Sequence, residues 1–197
     1  MIQKTVLPNG VRILSEQVPS VRSCSIGIWV ESGSRHEPEA LCGISHFLEH
    51  MLFKGTETRT AAQLATAFDA IGGQVNAFTT KENTCYYTKT LDTHIAEATE
   101  LLCDMFFHSR FGEEETNLER GVILEEIGMY EDSPEDLVVE RLASAIYDGS
   151  PLGRPILGTK ERLQTIHGST LGEYCRSHYN PANTLVSIAG SFTQQDL

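Results

Sequence analysis

The chain has 197 residues, of which 40% are hydrophobic and 21% charged, enough for one sizeable core and unlike a disordered or fibrous composition. With 15 Lys and Arg against 27 Asp and Glu the formal net charge is -12, which repels phosphate backbones and anionic headgroups and excludes nucleic acid and membrane surfaces as expected partners. No apolar run approaches the ~18 residues of a membrane span, no export signal opens the chain, and five cysteines without a C-x-x-C pair read as reduced thiols, so a cytoplasmic location is expected.

In chain order, Thr5–Leu7 and Val11–Leu14 flank Pro8-Asn9-Gly10, and the Asn-Gly pair predicts a tight hairpin with positive φ angles. Ser23–Glu31 is apolar and β-branched enough for a central strand. Helical spacing follows over 43–53, apolar on nearly every side, and over 61–71, where Leu64, Ala67, Phe68 and Ile71 form one stripe before Gly72-Gly73. Residues 74–80 and 84–90 predict a second hairpin around Lys81-Glu82-Asn83. Amphipathic helices are predicted over 94–108 and over 113–130, the latter through Leu118, Val122, Ile123 and Ile127. Ser133-Pro134-Glu135-Asp136 starts another helix that runs to about Tyr147. Short helices over 160–166 and 170–179, a strand over 184–189, and a helix start at 193–197 complete the reading. From that last feature the chain is expected to be a piece of a longer protein. The fold class expected is α+β, a mainly antiparallel sheet with helices packed against it in a two-layer sandwich.

The chemistry concentrates in His46-Phe47-Leu48-Glu49-His50, inside the most apolar helix. Positions i, i+3 and i+4 share a helix face, so both imidazoles and the carboxylate converge. Two neutral imidazoles at that spacing form half of a tetrahedral zinc site, and the carboxylate between them can deprotonate the metal's water. For this composition the expected number of chance H-x-x-[DE]-H matches is on the order of 0.03. Three ionisable side chains among Ile44, Phe47, Leu48, Met51, Leu52 and Phe53 are expensive to desolvate without a cation or partners, which favours the metal over a satisfied core pair.

A third protein ligand has to come from elsewhere. Glu119 and Glu126 lie seven apart, two turns on one helix face, separated by Val122 and Ile123. Glu125 competes with Glu126, and Cys42, one turn before His46, is a weaker rival whose ordinary reading is a small buried hydrophobe. His36, His94, His108, His167 and His178 fall in no metal-like spacing. Residue spacing alone leaves this choice open.

The stretch G-I-S-H-F-L-E-H-M-L-F-K-G-T, then G-G-Q-V-N-A-F-T-T-K-E-N-T-C-Y-Y and E-R-G-V-I-L-E-E-I, resembles the pitrilysin or insulinase-type zinc peptidases. Within them it is most similar to the branch of the mitochondrial processing peptidase catalytic subunit and its bacterial relatives. The likeness runs from the opening hairpin to the strand near residue 184. It implies one zinc ion held by His46, His50 and Glu126, Glu49 as general base, and Glu119 as a supporting acid near the site. It further implies that the strand carrying Asn76 and Ala77 pairs with extended peptide, that Phe53 lines the pocket after the scissile bond, and that Asp136 and Glu140 receive an arginine upstream of it. Without the resemblance, Phe53 reads as core packing, Asn76 as a polar residue near a turn, and Asp136 with Glu140 as a solvated pair relieved by Arg141.

The function expected is zinc-dependent hydrolysis of peptide bonds in extended peptide or unfolded polypeptide. Residues 1–197 would form a single N-terminal metallopeptidase domain, lacking the second homologous half or partner subunit that completes the chamber. Two rivals stand beside this. A non-catalytic partner subunit or peptide-binding module has no need of an unliganded base at Glu49, and a structural zinc site wants four protein ligands where three are apparent.

Overall fold

The opening hairpin forms, but through a different turn from the one predicted. Only Gly10 has positive φ, at 97°; Gly10 N–H donates to Leu7 O and Leu7 N–H to Val11 O, both at 2.9 Å. Pro8 fixes its own φ near the helical value, so the loop takes three residues and closes on a left-handed glycine. The computed structural model describes residues 1–197. Its strands are β1 (Gln3–Val6), β2 (Arg12–Gln17), β3 (Ser23–Val30), β4 (Gln74–Thr79), β5 (Thr84–Leu91) and β6 (Thr184–Gly190). They form one sheet in the order β1-β2-β6-β3-β5-β4. Every neighbouring pair is antiparallel except β2 with β6, so the sheet is mainly antiparallel as expected.

Alternation sorts the sheet into two faces. Cys24, Ile26, Ile28 and Val30 of β3 and Thr84, Tyr86, Thr88 and Thr90 of β5 are buried, and the helices cover that side. The opposite side carries Trp29, Phe78 and Tyr87, with ring centroids 5.5 Å apart for Trp29–Phe78 and 6.1 Å for Phe78–Tyr87. The helices are α1 (Ile44–Met51), α2 (Ala61–Ala70), α3 (Ile95–His108), α4 (Glu113–Asp132), α5 (Pro134–Ile146), α6 (Lys160–Leu163) and α7 (Gly168–His178). At 193–197 there is a single turn, with Leu197 N–H on Thr193 O and Asp196 accepting from the Thr193 hydroxyl, not the start of a regular helix.

One helix departs from its predicted face. In α4 the buried positions are Thr116, Glu119, Ile123 and Ile127, while Leu118 and Val122 are exposed. Turning the helix to bring Glu119 and Glu126 inward sends the neighbouring apolar residues outward, so carboxylates override the hydrophobic pattern. Helix α5 starts as predicted, its Ser133 hydroxyl accepting from Asp136 N–H, yet none of its residues is buried.

Helix α1 is seated by its amino-terminal end. The buried carboxylate of Glu37 accepts from Gly43 N–H at 2.7 Å and Ser45 N–H at 2.8 Å, satisfying two donors the helix leaves unpaired and placing negative charge at its positive end. Gly43 has φ of 96°. A Cβ there would lie 2.7 Å from Leu157 O and 2.8 Å from Gly158 Cα, so the loop 155–158 passes against the helix start with no room for a side chain. Gly43→Ala should therefore lower unfolding free energy by more than about 1 kcal/mol, read as a lower urea midpoint at unchanged slope; an unchanged midpoint would show that this crossing is not tightly set.

Candidate active site

Four residues of α1, Ile44, Phe47, Leu48 and Met51, and the adjacent Leu52 are fully buried, each contributing about 1.5–3 kcal/mol of burial. They fix the helix axis, and the remaining face carries His46, Glu49 and His50. The two imidazoles lie with ring centroids 4.5 Å apart at 62°. Across from them, α4 presents Glu126, whose Oε2 is 3.7 Å from His46 Nε2 and 3.6 Å from His50 Nε2. One ligand atom from each of the three lies within 4.8 Å of the others. Tetrahedral zinc with bonds near ~2.0–2.1 Å has ligand-to-ligand edges of about 3.4 Å, so this triangle is close to that size.

Lone pairs decide what fits between them. His50 Nδ1 lies 2.8 Å from Glu119 Oε1, and because a carboxylate only accepts, the proton belongs on Nδ1 and Nε2 keeps its lone pair. Burial, with His50 adding to it, pushes His46 down to about 3, so this imidazole is neutral across the ordinary pH range. His46 Nδ1 is buried without a hydrogen-bond partner. His50 Nε2 and the Glu126 carboxylate therefore face one another as acceptors, and a neutral His46 can offer Nε2 as a third. A cation between them relieves that repulsion, and the donor set of two nitrogens and one oxygen suits zinc with a coordination position left open.

Glu119, 5% exposed, is held from both sides. Its second oxygen, Oε2, takes the Lys54 ammonium at 2.6 Å. Glu49 lies beside the triangle, with Oε2 accepting the Thr79 hydroxyl at 2.6 Å. Burial raises the Glu49 carboxyl above the usual carboxylate range and the Thr79 bond opposes that rise, which poises it to accept and return a proton.

The remaining residues named from the sequence take varied places. Asn76 and Ala77 sit on β4, which pairs only with β5 and so forms the sheet edge. The Asn76 side-chain Oδ1 accepts from Ala77 N–H at 2.8 Å, occupying a donor that points off that edge. Ala77, Thr79, His46, Glu49, Glu126 and Glu140 all line one cavity of about 210 Å³. A second cavity of about 390 Å³ opens beside it between α4, α5 and residues 153–161, sharing Tyr130, Glu140 and Leu157. Asp136 is exposed on α5 outside both, and Lys81 Nζ, rather than Arg141, approaches Glu140, at 3.9 Å. Phe53 is half-buried against Leu64, Phe68, Leu101 and Met105. Glu125 is exposed, and Cys42 is buried with its thiol on Pro155 O and pushed up to about 11 by burial; neither joins the ligand group.

Sequence reading did not single out Lys54, Thr79, Tyr130 or Glu37. Three signals were there to find. Lys54 is four residues after His50, and Thr79 is two after Ala77 on the same strand face. Tyr130 is likewise one turn past Glu126. Nothing in the sequence marks Glu37 as the cap of a helix six residues away.

Comparison with known proteins follows the same outline. Residues 12–160 match the insulinase family of peptidases, family M16. A Bacillus subtilis (strain 168) protein named as an uncharacterized zinc protease, YmxG, is 52% identical over 98% of this chain and 47% of its own length. A probable mitochondrial-processing peptidase subunit beta of Arabidopsis thaliana is 37% identical over 98% of this chain and 36% of its own length. In fold, the crystal structure of a peptidase M16 inactive domain from Pseudomonas fluorescens matches with a TM-score of 0.92 at 16% identity, over 100% of this chain and 48% of the other. The chain spans less than half the length of the curated relatives it matches. Its sequence and its fold agree: this chain belongs to the insulinase family, peptidase family M16.

Proposed function

We propose that this chain is the zinc-binding domain of an endopeptidase that hydrolyses extended peptide or unfolded polypeptide. The observation carrying the reading is the convergence of His46, His50 and Glu126 beside Glu49, next to an unpaired sheet edge. One zinc ion held by those three side chains would polarise a peptide carbonyl and acidify water in the open position. Glu49, its carboxylate held in place by Thr79, would act as the base that accepts a proton from the attacking water and returns it to the leaving amine. Glu119 keeps His50 in the tautomer that offers Nε2. Along β4, backbone groups facing away from β5 offer an edge for main-chain pairing with substrate, with Asn76 giving up its bond to Ala77 N–H as the peptide arrives. On the family resemblance alone, Phe53 would contribute to the pocket after the scissile bond, although it packs here against Leu64, Phe68, Leu101 and Met105.

A second homologous half or partner subunit is proposed to close over this face, supported by relatives more than twice the chain's length. A cytoplasmic setting is proposed on the five unpaired cysteines; no helix is long and apolar enough to cross a membrane. The reading as a non-catalytic partner or peptide-binding module is disfavoured by the Thr79-held carboxylate of Glu49, which a scaffold does not require.

Three results are expected. Glu126→Ala should strip zinc to well below one equivalent by elemental analysis, while Glu125→Ala retains it; stoichiometric zinc in Glu126→Ala refutes the ligand assignment. In the full-length enzyme Glu49→Gln should keep zinc and bind peptide yet lose turnover by about a hundredfold or more, and near-normal cleavage would mean another group activates water. Asp136→Asn with Glu140→Gln should raise KM for peptides with Arg upstream of the cleaved bond far more than for Ala-substituted ones, because paired carboxylates hold a guanidinium through charge-assisted bonds. Equal losses on both peptides would return the pair to a solvated surface role.

A further inference from the structure

We propose that Lys54 is a positioning residue for the metal centre, acting through Glu119 on the imidazole of His50. The inference rests on the reading of His46, His50 and Glu126 as metal ligands and adds a residue outside that set. Lys54 lies in the turn that ends α1, its own N–H donating to Met51 O at 3.0 Å. The next residue, Gly55, pairs with Thr60 in an isolated bridge, so the backbone carrying the ammonium is anchored on both sides.

The geometry assigns each oxygen of Glu119 one donor. Oε2 takes Lys54 Nζ at 2.6 Å and Oε1 takes His50 Nδ1 at 2.8 Å. No other lysine or arginine pairs with Glu119. A carboxylate this buried, with a single neutral donor, is free to turn about its terminal torsion and leaves one oxygen uncompensated. Two opposed donors fix the carboxylate plane, and that plane fixes the ring of His50 with Nδ1 protonated and Nε2 aimed at Glu126. Lys54 thus sets the direction of a ligand lone pair that it does not touch.

A role as a mere nearby charge makes the opposite prediction. An ammonium close to a divalent cation repels it, so removing that charge would tighten zinc binding. Removing a positioning contact weakens it.

The test is zinc affinity of the 197-residue chain by competition with a chromophoric chelator at one fixed pH, for the parent, Lys54→Met, Lys54→Arg, Glu119→Gln and the Lys54→Met/Glu119→Gln pair. Lys54→Met should weaken zinc binding by about tenfold or more, and Lys54→Arg should recover most of that loss. The double variant should bind about as weakly as Glu119→Gln alone, because Lys54 acts through Glu119. Imidazole nitrogen NMR of the metal-free chain supplies a second readout: His50 should be protonated at Nδ1 in the parent and mixed in Lys54→Met. Unchanged or tighter zinc binding in Lys54→Met, additive losses in the double variant, or a parent His50 protonated at Nε2 would each overturn the proposal. A parent chain that binds no zinc overturns the ligand reading itself, and the proposal with it, which separates that failure from a failure of Lys54 alone.

Discussion

Helix α1 is the most deeply buried helix of the chain and also the one that carries His46, Glu49 and His50, so its desolvation is the constraint around which neighbouring elements are arranged. Apolar burial of Ile44, Phe47, Leu48, Met51 and Leu52 provides the driving force. The same burial holds His46 neutral and raises the Glu49 carboxyl. Surrounding elements then bring partners: α4 brings Glu119 to His50, β4 brings Thr79 to Glu49, and the turn after α1 brings Lys54 to Glu119, while Glu126 of α4 faces both imidazoles. At the other end of the helix, Glu37 and the crossing at Gly43 fix its start.

This arrangement explains why α4 sacrifices its own hydrophobic face. A helix that obeyed its apolar pattern would bury Leu118 and Val122; instead it buries Glu119 and exposes both of them. Exposing two aliphatic side chains costs about 1.5–3 kcal/mol each, and the compensation is a carboxylate paired to both an imidazole and an ammonium. Sites of this kind break local rules where chemistry requires it. The edge position of β4 follows the same logic. An unpaired strand is normally a liability, yet here it borders the cavity that contains His46, Glu49 and Glu126.

Fold and activity separate cleanly in this architecture. The same sheet and helices occur in a domain described as inactive, so this fold by itself implies no activity. In this chain the imidazole pair, both flanking carboxylates and their hydrogen-bond partners occur together.

The sequence by itself determined the local elements and the identity of the reactive helix, because helix and strand periodicities, caps and the i, i+4 spacing of His46 and His50 are all properties of near neighbours. It also offered candidates for a third ligand in a short stretch around Glu119–Glu126, with Cys42 left as a rival. Tertiary structure alone decided the rest. The late strand β6 inserts between β2 and β3, a pairing across more than 150 residues that no local pattern encodes. Which face α4 turns inward, which basic group reaches Glu119, and which hydroxyl reaches Glu49 depend on how separate elements meet, with Lys54 and Glu119 65 residues apart and Thr79 and Glu49 30 apart. Those choices are made by burial and charge pairing in three dimensions, where the cost of an uncompensated buried carboxylate exceeds the gain from another exposed or buried aliphatic side chain.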